Sequence, residues 1–344
     1  MTEEIRAEIE RAGAMPFERF MQLALYGEQG FYTRSDGGSA GRRGDFLTSP
    51  EVGPLFGAVV ARMLDAEWAR LGRPDPFTVV DLGAGPGTLA RAVHAASPAC
   101  RDAMHYVAVE LSPAQRARHP EHVASVAELA EVGTTGSLDG VVIANEVLDN
   151  VPFQLAVFDG GWREAFVVLD GHGELVERLS APFDPAPPVL PPTAAHGARA
   201  PLVGRAADLV DAARALLRSG TVVVVDYGVA RTAELALRPW REWLRTYRSN
   251  ERGGHYLANP GEQDITADMP VDQLPTHDAL RTQAQWLARW GIDDLVAEGK
   301  QVWAERAARP DLEAMRMRSR ISESEALLDP AGLGAFLALE WKND

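Results

Sequence analysis

The stretch that most constrains this chain is residues 77–93, FTVVDLGAGPGTLARAV: an apolar run ending in Asp81, then Gly83, Gly85 and Gly87 at alternate positions, then a helical pattern. A run this uniformly apolar suits a parallel strand covered on both faces. Glycines at that spacing let the backbone turn sharply into the helix and approach a ligand closely. The turn also excludes. A dinucleotide fingerprint, G-x-G-x-x-G, would need its third glycine where Thr88 stands. A nucleoside-triphosphate loop needs a lysine after its last glycine, and none follows.

Three further runs share the character of the first: MHYVAVEL, LDGVVIANE and GTVVVVDYG, with helical candidates between them. Alternation of this kind predicts an α/β fold with a Rossmann-like, doubly wound sheet. Residues 1–75 read as a helical N-terminal cap with one long Gly-rich polar loop. Residues 76–344 read as the Rossmann-like body, with insertions at about 152–200 and 245–330. Within the first insertion, FQLAVFDGGWREAFVVLDGHGELVERL alternates apolar and polar residues around DGG and DGHG, predicting an antiparallel hairpin or meander. The Pro-rich APFDPAPPVLPPTAAHG predicts an extended connector. THDALRTQAQWLARWG and QVWAERAARPDLEAMRMRSRI read as helices, and GAFLALEWK as a last strand.

A net charge of −15 over 344 residues argues against a nucleic-acid partner, because phosphate contact needs a basic face. With Cys100 alone there is no internal disulfide and no cysteine-built metal site. No His/carboxylate cluster has ligand spacing either, so no metal is expected. The N-terminus, MTEEIRAEIERAGAM, lacks the apolar core of a secretory signal and the acid-poor character of a transit peptide. No apolar run is long enough to span a bilayer. A cytoplasmic location without membrane association is expected.

The turn that remains is the E/D-x-G-x-G-x-G of class I S-adenosylmethionine (SAM) enzymes. Its glycines admit the amino-acid and ribose portions of the ligand, and Asp81 at the strand end is placed for the ammonium. Glu110, ending the second run, falls where such folds present a carboxylate to ribose hydroxyls. In VVIANEVLDNVP a buried strand runs into Asn145, Glu146, Asp149 and Asn150, which a parallel sheet would place at its ligand crevice. Asn145 and Glu146 are candidates for the reaction centre. The same residues also suit a helix start, with Asn145 as cap and Glu146 and Asp149 as first-turn acids.

Taken together, LALYGEQGFYTR, GDFLTSPEVGPLFG, DLGAGPGTLARAV, ANEVLDNVPFQL, VVVDYG and LANPGEQDITADM closely resemble the MidA-like SAM-dependent methyltransferase family, from about Pro16 to the C-terminus. The family includes a mitochondrial assembly protein that methylates an arginine of a respiratory complex I subunit. The resemblance implies that Gly83, Gly85, Gly87 and Glu110 bind SAM, with Thr48, Ser49 and Glu51 on a loop closing over it. Glu146 and Asp149, matching the family's N-E-x-x-D, would face the acceptor. The chain departs from the family where members often carry an Arg-His pair: here Arg248 precedes Ser249, with His255 nearby.

The expected activity is therefore N-methylation of a protein arginine, which paired carboxylates can hold and orient. Glu146, Asp149, Glu262 and Asp264 are the acids in suggestive segments, and Arg248 is a further candidate for substrate binding. Two rivals stand beside this. Methylation of a small carboxylic acid or other metabolite would use arginine clamps from Arg42, Arg43, Arg245 and Arg248. A non-catalytic SAM-binding assembly factor would use surface aromatics such as Trp286, Trp290 and Trp303. The expected partners are an acceptor protein or small-molecule acceptor, with the helical additions compatible with a homodimer.

Overall fold

A computed structural model describes residues 2–34, 48–248 and 251–344. Its centre is a seven-stranded sheet. In chain order the strands are β1 (Phe77–Leu82), β2 (Met104–Val109), β3 (Ala124–Val126), β4 (Leu138–Asn145), β5 (Leu217–Asp226), β6 (Ala279–Thr282) and β7 (Leu337–Asn343). Their spatial order is β3-β2-β1-β4-β5-β7-β6. The first five pair in parallel, whereas β7 runs antiparallel between β5 and β6. The order reverses between β1 and β4, so the crevice outside their carboxyl ends is the ligand position in a sheet of this kind.

Alternation along each strand divides the core into two layers. Val80, Leu82, Val142, Ala144, Val222, Val224 and Trp341 face one side. Val79, Tyr106, Val141, Ile143, Val223, Val225 and Ala338 face the other. The first layer is covered by α2 (Phe17–Tyr26) and a helix at Gly204–Leu216. The second is covered by α4 (Pro54–Arg70), α5 (Thr88–Ala96) and the C-terminal helices. Here the short α3 (Ser49–Val52) immediately precedes α4.

The predicted meander is present as strands Gln154–Phe158, Trp162–Leu169 and Leu175–Pro182, and Arg199–Leu202 returns to pair with the first of them. Met15–Pro16, between α1 (Thr2–Ala12) and α2, joins this second sheet and ties the N-terminal segment to it. Two helical expectations need correction. THDALRTQAQWLARWG opens with strand β6 before its helix, Gln283–Arg289, which Thr282 and Gln285 start with a reciprocal capping box. QVWAERAARPDLEAMRMRSRI is split at Pro310, where a missing backbone donor ends one helix at Arg306 and the next starts at Leu312. The segment after β5 also holds a small antiparallel sheet of Leu244–Arg248, Glu251–Arg252 and Asp264–Ala267. Among the described residues, no helix is long and apolar enough to cross a membrane.

Candidate active site

A cavity of about 580 Å³ opens at the carboxyl ends of β1, β2 and β4. Its size is that of a site for a cofactor-sized ligand. One half is made by the glycine turn. Gly83, Gly85 and Gly87 all have positive φ, at 69°, 52° and 79°, a region that costs a side-chain-bearing residue strain. At Gly85, which lines the cavity, a Cβ would meet none of the described residues within 4 Å, so it would enter open space beside the wall. At Gly83 it would meet Val147 Cγ2 at 2.6 Å.

Two acids complete this half. Asp81 lines the cavity although only 3% exposed. Burial pushes its carboxyl up to about 7, against a hydrogen bond from Tyr106 at 3.0 Å, and the neighbouring Glu110 raises it further. Glu110 accepts from the backbone N–H groups of Gly85 at 2.9 Å and Ser112 at 2.8 Å. Burial also raises its pKa, partly offset by those two donors. Each carboxylate oxygen keeps a second lone pair, so acceptor capacity remains for hydroxyls. A buried carboxylate for an ammonium, an acid for a diol and an open glycine between them fit the SAM ligand.

The other half lies at the end of β4. Asn145 and Glu146 both line the cavity. The Glu146 carboxylate accepts from Asn145 Nδ2 and from the Ser49 backbone N–H, each at 3.0 Å. Burial lifts its pKa to about 8; the Ser49 donor opposes that shift and the charge of Asp149 adds to it. Glu146 itself is held at φ 53°, in the left-handed region where non-glycine residues are scarce and cluster at functional sites. Asn145 Oδ1 is buried with no hydrogen-bond partner among the described residues.

Asp149 departs from expectation: it does not line the cavity. Its Oδ2 accepts from Thr266 at 2.6 Å and from the Tyr227 hydroxyl, which ties it behind the wall. Asn150 takes the wall position instead. Its Nδ2 donates to Asp264 Oδ1 at 3.0 Å, and the Tyr32 hydroxyl lies 3.1 Å from Asn150 Oδ1 and 3.0 Å from Asp264 Oδ1. Tyr26 stacks on Tyr32 with ring centroids 5.7 Å apart and donates to the Asn150 carbonyl. Asp264 is therefore connected to the cavity through two of its wall residues.

The segment Thr48–Val52 reaches both halves. Thr48 and Glu51 line the cavity, and Glu51 accepts from Thr88 Oγ1 at the start of α5. The Ser49 hydroxyl donates to Gln283 Oε1 at 2.8 Å.

Arg248 and Glu262 are corrected. They form an ion pair at 3.0 Å with side chains more than half exposed, and neither lines the cavity. Arg245 is committed to Asp268 at 2.7 Å with its guanidinium over the Tyr227 ring. Arg42, Arg43 and Ser249 lie outside the described residues. His255 packs between Trp240 and Tyr256, away from the cavity wall. Trp286 is a core residue, donating to Glu340 at 2.9 Å. Among the described residues, no group of three His, Cys, Asp or Glu is arranged to hold a metal ion.

Tyr26, Tyr32 and Arg205 also line the wall, and the sequence assigned none of them a place there. The two tyrosines stand in LALYGEQGFYTR, a stretch that carried the family resemblance, so their signal was present without a role.

The strand order, the glycine turn and the two acids beside it define a class I SAM-dependent methyltransferase. Residues 59–288 match the model of a family described as S-adenosyl-L-methionine-dependent methyltransferases, and the chain belongs to that family. A Drosophila melanogaster relative, the mitochondrial protein arginine methyltransferase NDUFAF7 homolog, is 30% identical over 312 residues, covering 78% of this chain and 68% of the relative. The Rattus norvegicus protein arginine methyltransferase NDUFAF7 is 25% identical over 382 residues, covering 97% and 82%. A Burkholderia thailandensis structure bound to S-adenosyl-homocysteine superposes with a TM-score of 0.79 at 26% identity, covering 99% of this chain and 91% of that one.

Proposed function

We propose that this methyltransferase N-methylates an arginine side chain of a protein acceptor. The observation that carries this reading is Glu146: an acid on the cavity wall held by two donors, the Ser49 amide and Asn145 Nδ2. The names of the two curated relatives support the same acceptor class. SAM supplies an electrophilic methyl on a sulfonium. Asp81, Gly83, Gly85 and Glu110 would hold it, with Thr48 and Glu51 covering the site; Gly87, packed near His119 and Pro120, and the buried Ser49 lie outside the cavity wall.

In this reading Glu146 binds the guanidinium and orients one nitrogen; alignment of this kind supplies much of the catalysis in a displacement. A buried carboxylate raised to about 8 is a poor anion when alone. An arriving guanidinium stabilises its ionised form and is held by it in return. Asp149 acts from behind, through the turn that carries Glu146.

A metabolite acceptor is the second reading, and Arg205 favours it. It is the arginine that lines the cavity among the described residues, held by Gln22 at 3.0 Å and Glu18 at 3.5 Å. A carboxylate substrate would use this cation rather than Arg248. Transfer from methyl-labelled SAM into a lysate of the source cell, separated into protein and small-molecule fractions, tests the choice. Base-stable label in a discrete protein band supports arginine. Label confined to small molecules, and lost in Arg205→Ala, overturns it.

A further inference from the structure

Behind the cavity wall, Asp226 ends strand β5 and is fully buried. Its Oδ2 accepts from three consecutive backbone N–H groups: Val147 at 3.1 Å, Leu148 at 2.8 Å and Asp149 at 3.3 Å. Its Oδ1 accepts from the Tyr227 N–H at 2.9 Å. Three successive amides converging on one oxygen form an anion-binding nest, which here is filled by the protein's own carboxylate.

The nest begins one residue after Glu146. The chain leaves β4 at Asn145, and the left-handed Glu146 turns it so that the next three amides point inwards. The Glu146 N–H is held by the Val225 carbonyl at 2.8 Å, the residue just before Asp226. The conformation that aims Glu146 at the cavity is thus enforced from the end of β5. The neighbouring Val147 occupies the space beside Gly83, so the same turn also borders the cofactor half.

We propose that Asp226 is a positioning residue for methyl transfer, holding Glu146 in its left-handed, cavity-directed conformation through the three amides while touching neither ligand. This rests on the reading of Glu146 as the acceptor-facing acid. It assigns a role to a carboxylate that lies outside the cavity wall. Burial and the charges of Asp149 and Glu146 push the Asp226 carboxyl well up, opposed by the amides of Asp149 and Leu148; what serves the nest is that both oxygens accept, one from the three amides and the other from the Tyr227 N–H.

Asp226→Asn keeps the size but replaces one of the two accepting oxygens with an NH2 donor, so either the three amides or the Tyr227 N–H loses its acceptor. With protein in a source-cell lysate as the methyl acceptor, transfer from labelled SAM is expected to fall on the order of 100-fold, the scale of a small misplacement in an aligned site. SAM affinity by calorimetry should stay within about twofold. The double variant Asp226→Asn/Glu146→Gln should be no slower than Glu146→Gln alone, since residues acting as one unit are not additive. Hydrogen exchange gives a readout free of any acceptor: the Ser49 amide, bonded to Glu146 across 97 residues, should lose protection in Asp226→Asn. A purely local structural role would deprotect residues 147–149 and leave Ser49 unchanged, which overturns the proposal. Full transfer by Asp226→Asn beside an inactive Glu146→Gln also overturns it, and leaves the reading of Glu146 intact. Full transfer by Glu146→Gln defeats that reading and this proposal together. Asp226→Ser, smaller and still an acceptor, is read the same way if the Asn variant does not fold.

Discussion

The two halves of the cavity use the same material, buried carboxylates at the ends of parallel strands, but they are wired differently. In the cofactor half the partners are close in sequence: Glu110 is held by Gly85 and Ser112, 25 and 2 residues away, and Asp81 by Tyr106, 25 residues away. In the half at the end of β4, proposed to face the acceptor, adjacent residues contribute but distant ones are added. Glu146 is held by Ser49 across 97 residues, Asp226 by Leu148 across 78, Asp149 by Thr266 across 117, and Tyr32 reaches Asp264 across 232. A βαβ unit builds the first half by itself. The second needs the whole chain folded around it.

The sharpest way to break this contrast is Gly85→Val, which puts a branched side chain at φ 52° on the cavity wall. We expect SAM binding by calorimetry to weaken by more than about 100-fold, through occlusion and backbone strain together. Binding at wild-type strength would mean the turn does not hold the cofactor. Next in size, Glu146→Gln should slow transfer about 100-fold or more while SAM affinity changes little, as removal of an electrostatic contact to the reacting group does. Equal losses in both quantities would show that the two halves are not separable.

The pH dependence sharpens the comparison. Acceptor capture by ionised Glu146 predicts that transfer at low acceptor concentration climbs with pH and levels off above about 8, and that the climb disappears in Glu146→Gln. Stability should move the other way. The folded protein keeps a proton on Glu146 that the unfolded chain releases, so stability is lost as pH rises from about 4.5 through about 8. Above pH 8, Glu146→Gln should therefore melt on the order of 2–4 °C higher than the wild type. A lower melting temperature there would contradict the raised pKa. The smallest effect belongs to Arg248→Ala. Its pair with Glu262 is exposed, so transfer should stay within about twofold and stability within about 1 kcal/mol. A large loss of transfer would return Arg248 to the substrate.

The same wiring explains how far the sequence could be read. The glycine turn, Asp81, Glu110 and the strands β1, β2, β4 and β5 were legible because their signals are local: apolar runs, turn residues and one βαβ interval. The acceptor half was only partly legible. Glu146 was found from its place at a strand end, but Asp149, its neighbour three residues on, turned out to face away because Tyr227 and Thr266 claim it. Glu262 and Arg248 looked like site residues in a family-specific stretch and instead pair with each other. No periodicity reports such pairings, which are set by tertiary contacts. The missed strand at Ala279–Thr282 has the same origin: its partner is β7, almost sixty residues later by the register Leu280↔Leu339.

The segment Thr48–Val52 has a thermodynamic consequence. Its Ser49 amide is bonded to the acceptor-side acid and its Glu51 carboxylate to the first residue of the cofactor-side helix. A ligand that stabilises the segment from one side thereby lowers the ordering cost for a ligand on the other. Such a coupling is reciprocal in free energy: whatever factor the cofactor adds to acceptor affinity, the acceptor must return to the cofactor.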